Sequence, residues 1–435
     1  MKYAAKKACI LLLIAVLLLL TGCYDSSVNQ YFALPKPEKE FLQLQELIDE
    51  ELDDGCEYAA PTGGSNRQSV QLGDLNLDGS EEAVVFFRQS NQELKVVFYA
   101  QKDGKFFKAA EIQGEGISVA GVDYQDINSD GVMEFLICWK VANEISRLDV
   151  IDLTGWNCRN ILQSDCNAFL VDDIDSDGSN ELQVLRRTAT GAWYADSYSF
   201  NDQLEPQAST AALSVGISKL NLVRSDILSG DTPSLLVEST LENGSIATDL
   251  LVFRDGGLLN LTASRSTGVS EVCRSFAAAS SCDIDGDGYL EIPKTQQLYS
   301  QDGNIFYSVV WYRYDATGRA TTVFSTYHCY EDGWYLILPA GWEAGLTVRR
   351  ADTVAGESSV TLSSLDTEGN IKDLVTIFTL TGENRSEKAK QSGRFTLLET
   401  DSAIFAASLN NSGYSQKTIE TNFRILYTDW NTGSV

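Results

Sequence analysis

The chain has 435 residues, of which 61 are acidic and 33 are basic, so its formal net charge is −28 at pH 7. Such a surface repels phosphate backbones and attracts cations, which excludes nucleic acid as a partner. The single histidine, His328, has no Gly-x-Ser-x-Gly motif to accompany it, which disfavours a Ser-His or Cys-His hydrolase.

The N-terminus has the pattern of a secretory signal over residues 1–22. Lys2, Lys6 and Lys7 form a basic region, and an apolar run follows over residues 8–20. That run is shorter than the roughly 20 apolar residues that a membrane-spanning helix needs, which favours cleavage. An uncleaved transmembrane anchor is the alternative.

The run Leu20-Thr21-Gly22-Cys23 resembles the lipobox of bacterial lipoproteins. The resemblance implies that Cys23 becomes the first mature residue, carries thioether-linked diacylglycerol and holds the protein on the outer face of a membrane. Two or more acyl chains give stable anchoring, since each buried CH₂ contributes about 0.8 kcal/mol. Removing residues 1–22 takes away three lysines and no acidic residue, which changes the net charge from −28 to −31.

Seven cysteines remain after the signal and Cys23, so they cannot all form disulfides within one chain. The sequence has no Cys-x-x-Cys unit, which argues against a zinc ribbon or a redox motif. Export permits disulfides, but the odd number favours some buried free thiols. The seven are Cys56, Cys138, Cys158, Cys166, Cys273, Cys282 and Cys329.

Residues 23–37 are polar and contain prolines, which is typical of a tether between a lipid anchor and a folded domain. An amphipathic helix is predicted over residues 38–55, and Gly55 stands where it should end. We expect this helix to cap the next domain, with a partner-binding helix as the alternative. Its apolar residues recur at helical spacing: Phe41, Leu44, Ile48 and Leu52.

Four copies of one acidic loop follow. In each copy, oxygen-bearing side chains occupy positions 1, 3, 5 and 9, a glycine occupies position 6, and the carbonyl of position 7 completes the set. The predicted metal ligands are Asp74, Asn76, Asp78, Ser80 and Glu82, then Asp126, Asn128, Asp130, Val132 and Glu134, then Asp173, Asp175, Asp177, Ser179 and Glu181, then Asp283, Asp285, Asp287, Tyr289 and Glu291.

Short Asp and Asn side chains at alternate positions of a tight turn can converge on one hard cation. Calcium suits such an oxygen-only set better than magnesium, and zinc or copper would require histidine or cysteine. A single copy is a weak signal, because an acidic β-turn has the same composition. Four copies in register indicate up to four Ca²⁺ sites. A degenerate copy at 226–231 has Leu228 and Gly230 at ligand positions and is not assigned a metal.

The loops and the degenerate copy recur every 47 to 57 residues, which is the spacing of propeller blades. Each repeat also contains a continuous apolar strand, such as 83–87 or 135–139, as expected for a strand packed on both faces. The predicted fold is mainly β. Over residues 65–332 it is a β-propeller of about five four-stranded blades, with six or seven as alternatives.

Together, loop and blade resemble the FG-GAP or VCBS repeat family, whose calcium-binding blades also occur in integrin alpha chains. The resemblance covers roughly residues 65–330 and implies calcium ligation by the residues given above. The family often closes its loop with Asp, whereas this chain has Glu at position 9, so the ligation mode there is expected to differ.

The acidic loop does not recur after residue 332, and residues 333–435 are predicted to form a small α+β or all-β domain. Leu338, Pro339, Trp342 and Glu343 match a Leu-Pro-x-x-Trp-Glu stretch in the C-terminal domain of VCBS-repeat surface lipoproteins of Gram-positive bacteria. The whole layout resembles those proteins.

Three functions fit the sequence. The first is a lipid-anchored, calcium-binding propeller on the cell surface that binds an extracellular protein or carbohydrate and is not an enzyme. The second is a carbohydrate-active enzyme, a glycosidase or lyase, because a glycosidase needs only two carboxylates. The third is a purely structural envelope component.

Overall fold

The computed structural model describes residues 39–143, 145–274, 279–299, 304–343, 345–410 and 413–426. The predicted signal (1–22) and tether (23–37), including the lipidation site Cys23, lie outside these ranges. Within them the fold is mainly β, and its strands form six antiparallel sheets. No helix in the described ranges is long and apolar enough to cross a membrane.

Helix α1 spans Lys39–Asp53, inside the predicted range of 38–55. Leu44 and Ile48 are buried, and they share a core cluster with the first sheet, so the helix covers one face of that sheet. Gly55 follows the helix with φ of +89°, a left-handed conformation that ends helices at little steric cost.

The strands of sheets 1 to 3 follow one another along the chain. Sheet 1 contains β1 (Glu57–Tyr58), β2 (Val70–Gly73), β3 (Glu82–Arg88), β4 (Leu94–Lys102) and β5 (Lys105–Gln113). Sheet 2 contains β6 (Ser118–Gln125), β7 (Glu134–Ala142), β8 (Ile145–Asp152) and β9 (Arg159–Asp165). Sheet 3 contains β10 (Ala168–Asp172), β11 (Glu181–Arg187), β12 (Trp193–Phe200) and β13 (Pro206–Ala212). Each sheet is a four-stranded meander, to which β1 adds a short pairing with β3 in sheet 1.

Sheets 4 and 5 repeat this plan. Sheet 4 contains β14 (Ile217–Leu228), β15 (Thr232–Leu241), β16 (Ile246–Arg254), β17 (Gly257–Asn260) and β18 (Cys273–Arg274). Sheet 5 contains β19 (Glu291–Gln297), β20 (Tyr307–Tyr314), β21 (Ala320–Cys329), β22 (Trp334–Ile337) and, from the end of the chain, β28 (Phe423–Ile425).

Hydrophobic clusters lie between successive sheets. Buried residues that share a cluster across two sheets include Phe86 and Trp139, Leu136 and Leu182, Leu185 and Leu235, and Leu236 and Ile292. Strands β3, β7 and β11 are buried at consecutive positions because both of their faces pack against neighbours. This arrangement is compatible with the predicted propeller-like fold.

Sheet 6 lies in the C-terminal region. It is antiparallel, in the order β23-β24-β25-β27-β26. Its strands are β23 (Leu346–Val354), β24 (Glu357–Leu365), β25 (Ile371–Thr381), β26 (Phe395–Glu399) and β27 (Ala403–Leu409), and helices α2 (Arg385–Ala389) and α3 (Gln416–Asn422) lie between or after them.

Sheets 5 and 6 share the largest hydrophobic cluster, which includes the buried side chains of Leu338 and Trp342. Strand β22 lies just after the predicted boundary at residue 333 and pairs with β21, while β28 pairs with β22. The chain therefore leaves sheet 5 after β22, forms sheet 6, and returns to sheet 5 with β28.

Candidate metal centre

The four acidic loops occupy equivalent places in four of the sheets. Loop 1 (74–82) connects β2 to β3, loop 2 (126–134) connects β6 to β7, and loop 3 (173–181) connects β10 to β11. Loop 4 (283–291) precedes β19, and an isolated antiparallel β-bridge joins Cys282, just before the loop, to Glu291 at its end. The last residue of each loop is the first residue of a strand, so the sheet fixes its position.

Each loop is a tight turn held by its own carboxylates. In loop 1, Asp74 accepts hydrogen bonds from the backbone N–H of Asp78 at 3.0 Å and of Gly79 at 2.9 Å, and Asp78 accepts from Ser80 N–H at 2.8 Å. The corresponding distances in the other loops are 2.7–3.2 Å. The sixth position has φ between 86° and 91° in all four loops, which favours glycine. The predicted spacing thus produces one repeated backbone.

Position 3 differs among the loops. The side-chain amides of Asn76 and Asn128 donate to the position 5 carboxylates Asp78 and Asp130 at 3.1 and 3.0 Å. Loops 3 and 4 have aspartate at this position. Carboxylate oxygens lie within 4.8 Å of one another in two groups, Asp173 with Asp175 and Glu181, and Asp283 with Asp285 and Glu291.

The glutamate at position 9 is the last residue of each loop, and its side chain contacts the start of the loop. One carboxylate oxygen, Oε2, accepts a hydrogen bond from the backbone N–H of position 2, and the side chain is 0–1% exposed in every loop. The donor and acceptor pairs are Leu75 and Glu82 at 2.9 Å, Ile127 and Glu134 at 3.0 Å, Ile174 and Glu181 at 3.0 Å, and Ile284 and Glu291 at 3.1 Å. The hydrogen bond to position 9 therefore holds each loop through protein atoms alone.

The hydrogen bonding of the second carboxylate oxygen, Oε1, distinguishes loops 1 to 3 from loop 4. Oε1 of Glu82, Glu134 and Glu181 is buried and has no hydrogen-bond partner. A buried carboxylate oxygen without a partner is costly, so a structure that retains three of them at equivalent positions is suited to a ligand that supplies positive charge.

Burial also changes the proton affinity of these groups. Together with a smaller contribution from the neighbouring loop aspartates, it raises the pKa of Glu82 and of Glu181 to about 7 and the pKa of Glu134 to about 8. The donor set of loops 1 to 3 consists of oxygen atoms alone, with one buried and unpartnered oxygen in each. This set fits a hard divalent cation such as calcium.

In loop 4 a positively charged side chain from the adjacent strand contacts the corresponding oxygen of the closing glutamate. Arg313 of β20 donates from Nε to Glu291 Oε1 at 2.7 Å, and its Nη2 lies 2.8 Å from an oxygen of Asp287. Arg313 is not among the residues that the acidic repeat predicts. The signal that could have found it is the strand register, which places Arg313 directly opposite Glu291.

The degenerate copy at 226–231 is a hairpin turn. Asp226 lies within β14, where it pairs with Ser234 of β15, and the strands stay paired up to Leu228 and Thr232. Only residues 229–231 remain for the turn, which is too short for a nine-residue ligand loop.

The single histidine has a structural environment. His328 is buried, its Nε2 lies 2.8 Å from Thr326 Oγ1, and its Nδ1 lies 3.1 Å from the hydroxyl of Tyr330. Burial lowers its pKa to about 3, so the ring is neutral at physiological pH. The seven cysteines in the described ranges are free thiols, and most of them are buried.

No family model matches this chain, and no curated protein matches it. Among solved structures, it is similar to a rhamnogalacturonan lyase from Bacillus licheniformis, with 13% identity, a TM-score of 0.30 and coverage of 72% of this chain and 76% of the lyase. Sqt1 from Chaetomium thermophilum is similar with 10% identity, a TM-score of 0.31 and coverage of 72% and 73%. At these scores the likenesses carry no argument about activity.

Proposed function

We propose that sheets 1 to 5 are blades of a β-propeller of the FG-GAP or VCBS type. Three observations support this. Each sheet contains a four-stranded meander, and hydrophobic clusters join each sheet to the next. Four sheets carry the same acidic loop directly before one strand of the meander, which is the second strand in sheets 1 to 3 and the first strand in sheet 5. A propeller repeats one such unit around an axis and packs the faces of neighbouring blades together.

Within this propeller, loops 1 to 3 bind Ca²⁺. The observation that carries this proposal is the buried, unpartnered Oε1 of Glu82, Glu134 and Glu181. A bound cation would give each oxygen a partner and would offset part of a net charge of −28. The remaining ligands would be the oxygens at positions 1, 3, 5 and 7 of the same loops.

The propeller acts as a binding module on the outer face of the cell membrane, anchored through lipid on Cys23, and it recognises an extracellular protein or carbohydrate. The lipobox-like run at residues 20–23 supports the anchor. The acidic composition argues against nucleic acid as the partner. In this proposal the loops stabilise the blades and the partner binds elsewhere on the surface.

A screen of the purified mature protein against cell-wall and host glycans, with calcium and with chelator, tests the binding role. We expect saturable binding in both conditions at temperatures where the protein stays folded, together with no release of sugar. Release of sugar that is abolished by one Asp or Glu substitution outside the loops would show a carbohydrate-active enzyme. The absence of any saturable ligand, in this screen and in a pull-down from the native cell surface, would leave a structural role.

A further inference from the structure

Loop 4 differs from loops 1 to 3 by a positive charge that the chain itself supplies. The guanidinium of Arg313 contacts three carboxylates of this loop, those of Asp285, Asp287 and Glu291. Its Nη2 lies 3.3 Å from Asp285 and 2.8 Å from Asp287, and its Nε lies 2.7 Å from Glu291. These acids hold positions 3, 5 and 9, the side chains that would converge on a cation.

The contact with Glu291 involves the same atom that lacks a partner in the other loops. Oε1 of Glu291 accepts from Arg313, whereas Oε1 of Glu82, Glu134 and Glu181 has no hydrogen-bond partner. Glu291 is fully buried, so this ion pair offsets a charge that would otherwise be unpaired.

The guanidinium also lies close to an aromatic ring of the same loop. Its central carbon lies 5.3 Å from the ring centroid of Tyr289, at position 7, and the arginine side chain is 19% exposed. A planar guanidinium with several N–H donors can satisfy several carboxylate oxygens at once and remains charged at any physiological pH. A divalent cation in the same loop would be repelled by this charge at short range.

The strand register shows why only loop 4 has this feature. Arg313 is paired directly with Glu291 across β19 and β20. In sheets 1 to 3 the last paired residues are Ala83 with Tyr99, Phe135 with Ile151, and Leu182 with Tyr198. One step further, the closing glutamates face Ala100, Asp152 and Ser199, none of which carries a positive charge.

We propose that Arg313 takes the place of the metal in loop 4, so that this loop is closed without calcium while loops 1 to 3 depend on it. The inference rests on the proposed calcium binding by loops 1 to 3. It makes the residue opposite the closing glutamate the determinant of whether a loop binds metal, and it reduces the predicted four Ca²⁺ sites to three.

Two reciprocal substitutions test this. Arg313→Gln removes the charge from loop 4, and Ser199→Arg introduces one opposite Glu181 in loop 3, at a half-buried position. Calcium bound per chain is counted by equilibrium dialysis and mass spectrometry of the metal on chelator-treated full-length protein. We expect Arg313→Gln to bind one more Ca²⁺ than the wild type and Ser199→Arg to bind one fewer.

Arg186→Gln is the matched control. Arg186 forms an ion pair with Asp196, which belongs to no acidic loop, and its side chain is 28% exposed. This variant should bind as much calcium as the wild type. Terbium(III) luminescence excited through tyrosine adds a reading specific to loop 4, because Tyr289 belongs to that loop. Arg313→Gln should gain emission relative to the wild type, and the additional change Tyr289→Phe should remove the gain.

The outcomes separate the inference from the proposed function. A wild type that binds calcium, with an unchanged count in folded Arg313→Gln, overturns the inference and leaves calcium binding standing. A wild type that binds no calcium overturns the proposed function, and the inference with it. If Arg313→Gln does not fold, Ser199→Arg decides: loss of one ion supports the inference, and an unchanged count overturns it.

Discussion

Loops 1 to 3 and loop 4 have the same backbone, the same left-handed glycine and the same hydrogen bond from position 2 to the closing glutamate. They differ in the partner of Oε1 of that glutamate. This oxygen has no hydrogen-bond partner in loops 1 to 3, and in loop 4 it accepts a hydrogen bond from Arg313. The backbone fold of the loop and its charge balance are therefore separate properties. The backbone is set by local spacing, whereas the charge balance is set by a residue on the neighbouring strand.

The largest expected effect is that of calcium removal. A ligand that binds only the folded state stabilises it by about 2.7 kcal/mol per site at a hundredfold excess over Kd. We expect chelator to lower the melting temperature of the protein by several degrees, as measured by circular dichroism with calcium and with chelator. The double variant Asp175→Ala/Asp177→Ala should lose part of this response. Identical melting curves in calcium and in chelator would contradict calcium binding by the loops.

The second prediction compares the closing glutamates of two loops. Glu291→Gln weakens the contact of Arg313 with its buried partner, and we expect it to destabilise the protein by about 1–3 kcal/mol. The loss should be equal with and without calcium. Glu134→Gln, the matched variant in loop 2, should destabilise only the calcium-loaded protein. In chelator the pKa of Glu134 is raised to about 8, so its carboxyl is largely protonated at neutral pH and glutamine replaces an uncharged group. Urea unfolding of both variants in both conditions measures this, and a calcium-dependent loss in Glu291→Gln would count against the distinction.

The third prediction concerns pH. The pKa values of Glu82, Glu134 and Glu181 are raised in the folded protein to about 7, 8 and 7, above the ordinary value of 4.5. A raised carboxyl pKa means that the folded state binds the proton more tightly than the unfolded state. Its stabilising contribution is complete below about pH 4.5 and is lost as the pH rises through 7 to 8.

In chelator, these glutamates should therefore make the protein more stable as the pH falls from about 8 towards 5. With calcium the trend should weaken or reverse, because protons compete with the metal for the same carboxylates. Urea unfolding at a series of pH values measures both trends, and Glu134→Gln should reduce the slope in chelator. A slope of opposite sign in chelator would contradict the assignment.

The smallest expected effect is that of Tyr289→Phe in loop 4. The hydroxyl of Tyr289 donates to Asp231 at 3.0 Å and links loop 4 to the turn between β14 and β15. Asp231 is exposed and Tyr289 is half-buried, so we expect a loss of at most about 1 kcal/mol. This loss should not depend on calcium, since the aromatic ring and Arg313 remain in contact. A large calcium-dependent loss would indicate that loop 4 holds a metal after all.

Local features of the fold could be predicted from the sequence, and long-range ones could not. The spacing from Asp74 to Glu82 predicts a turn with glycine at its sixth position, because those contacts join residues at most seven positions apart. The run Ala83–Phe87 predicts a strand buried on both faces, and β3 is buried in this way. The contact between Arg313 and Glu291 could not be predicted from the repeat, because it arises only from the pairing of β19 with β20.

The candidate site shows the same division. The sequence predicts where the four acidic loops lie, but nothing in the repeat distinguishes the glutamate of loop 4 from the other three. The burial of those glutamates follows from their place at the first residue of a strand that packs within a sheet, which is a property of sheet packing. The pairing of β28 with β22 in sheet 5 joins residues far apart in the chain, and no local sequence pattern near Phe423 predicts it.

The position of strand β28 determines how a cut or a truncation in the C-terminal region affects the protein. Because the chain enters sheet 6 from β22 and comes back beside β22, sheet 6 is an insertion with a covalent connection at each end. A single proteolytic cut in either connection would leave the two parts joined through the other one. Trimming the chain before Phe423 would remove a strand from sheet 5 itself, so shortening the C-terminal region also weakens the last of the repeated sheets.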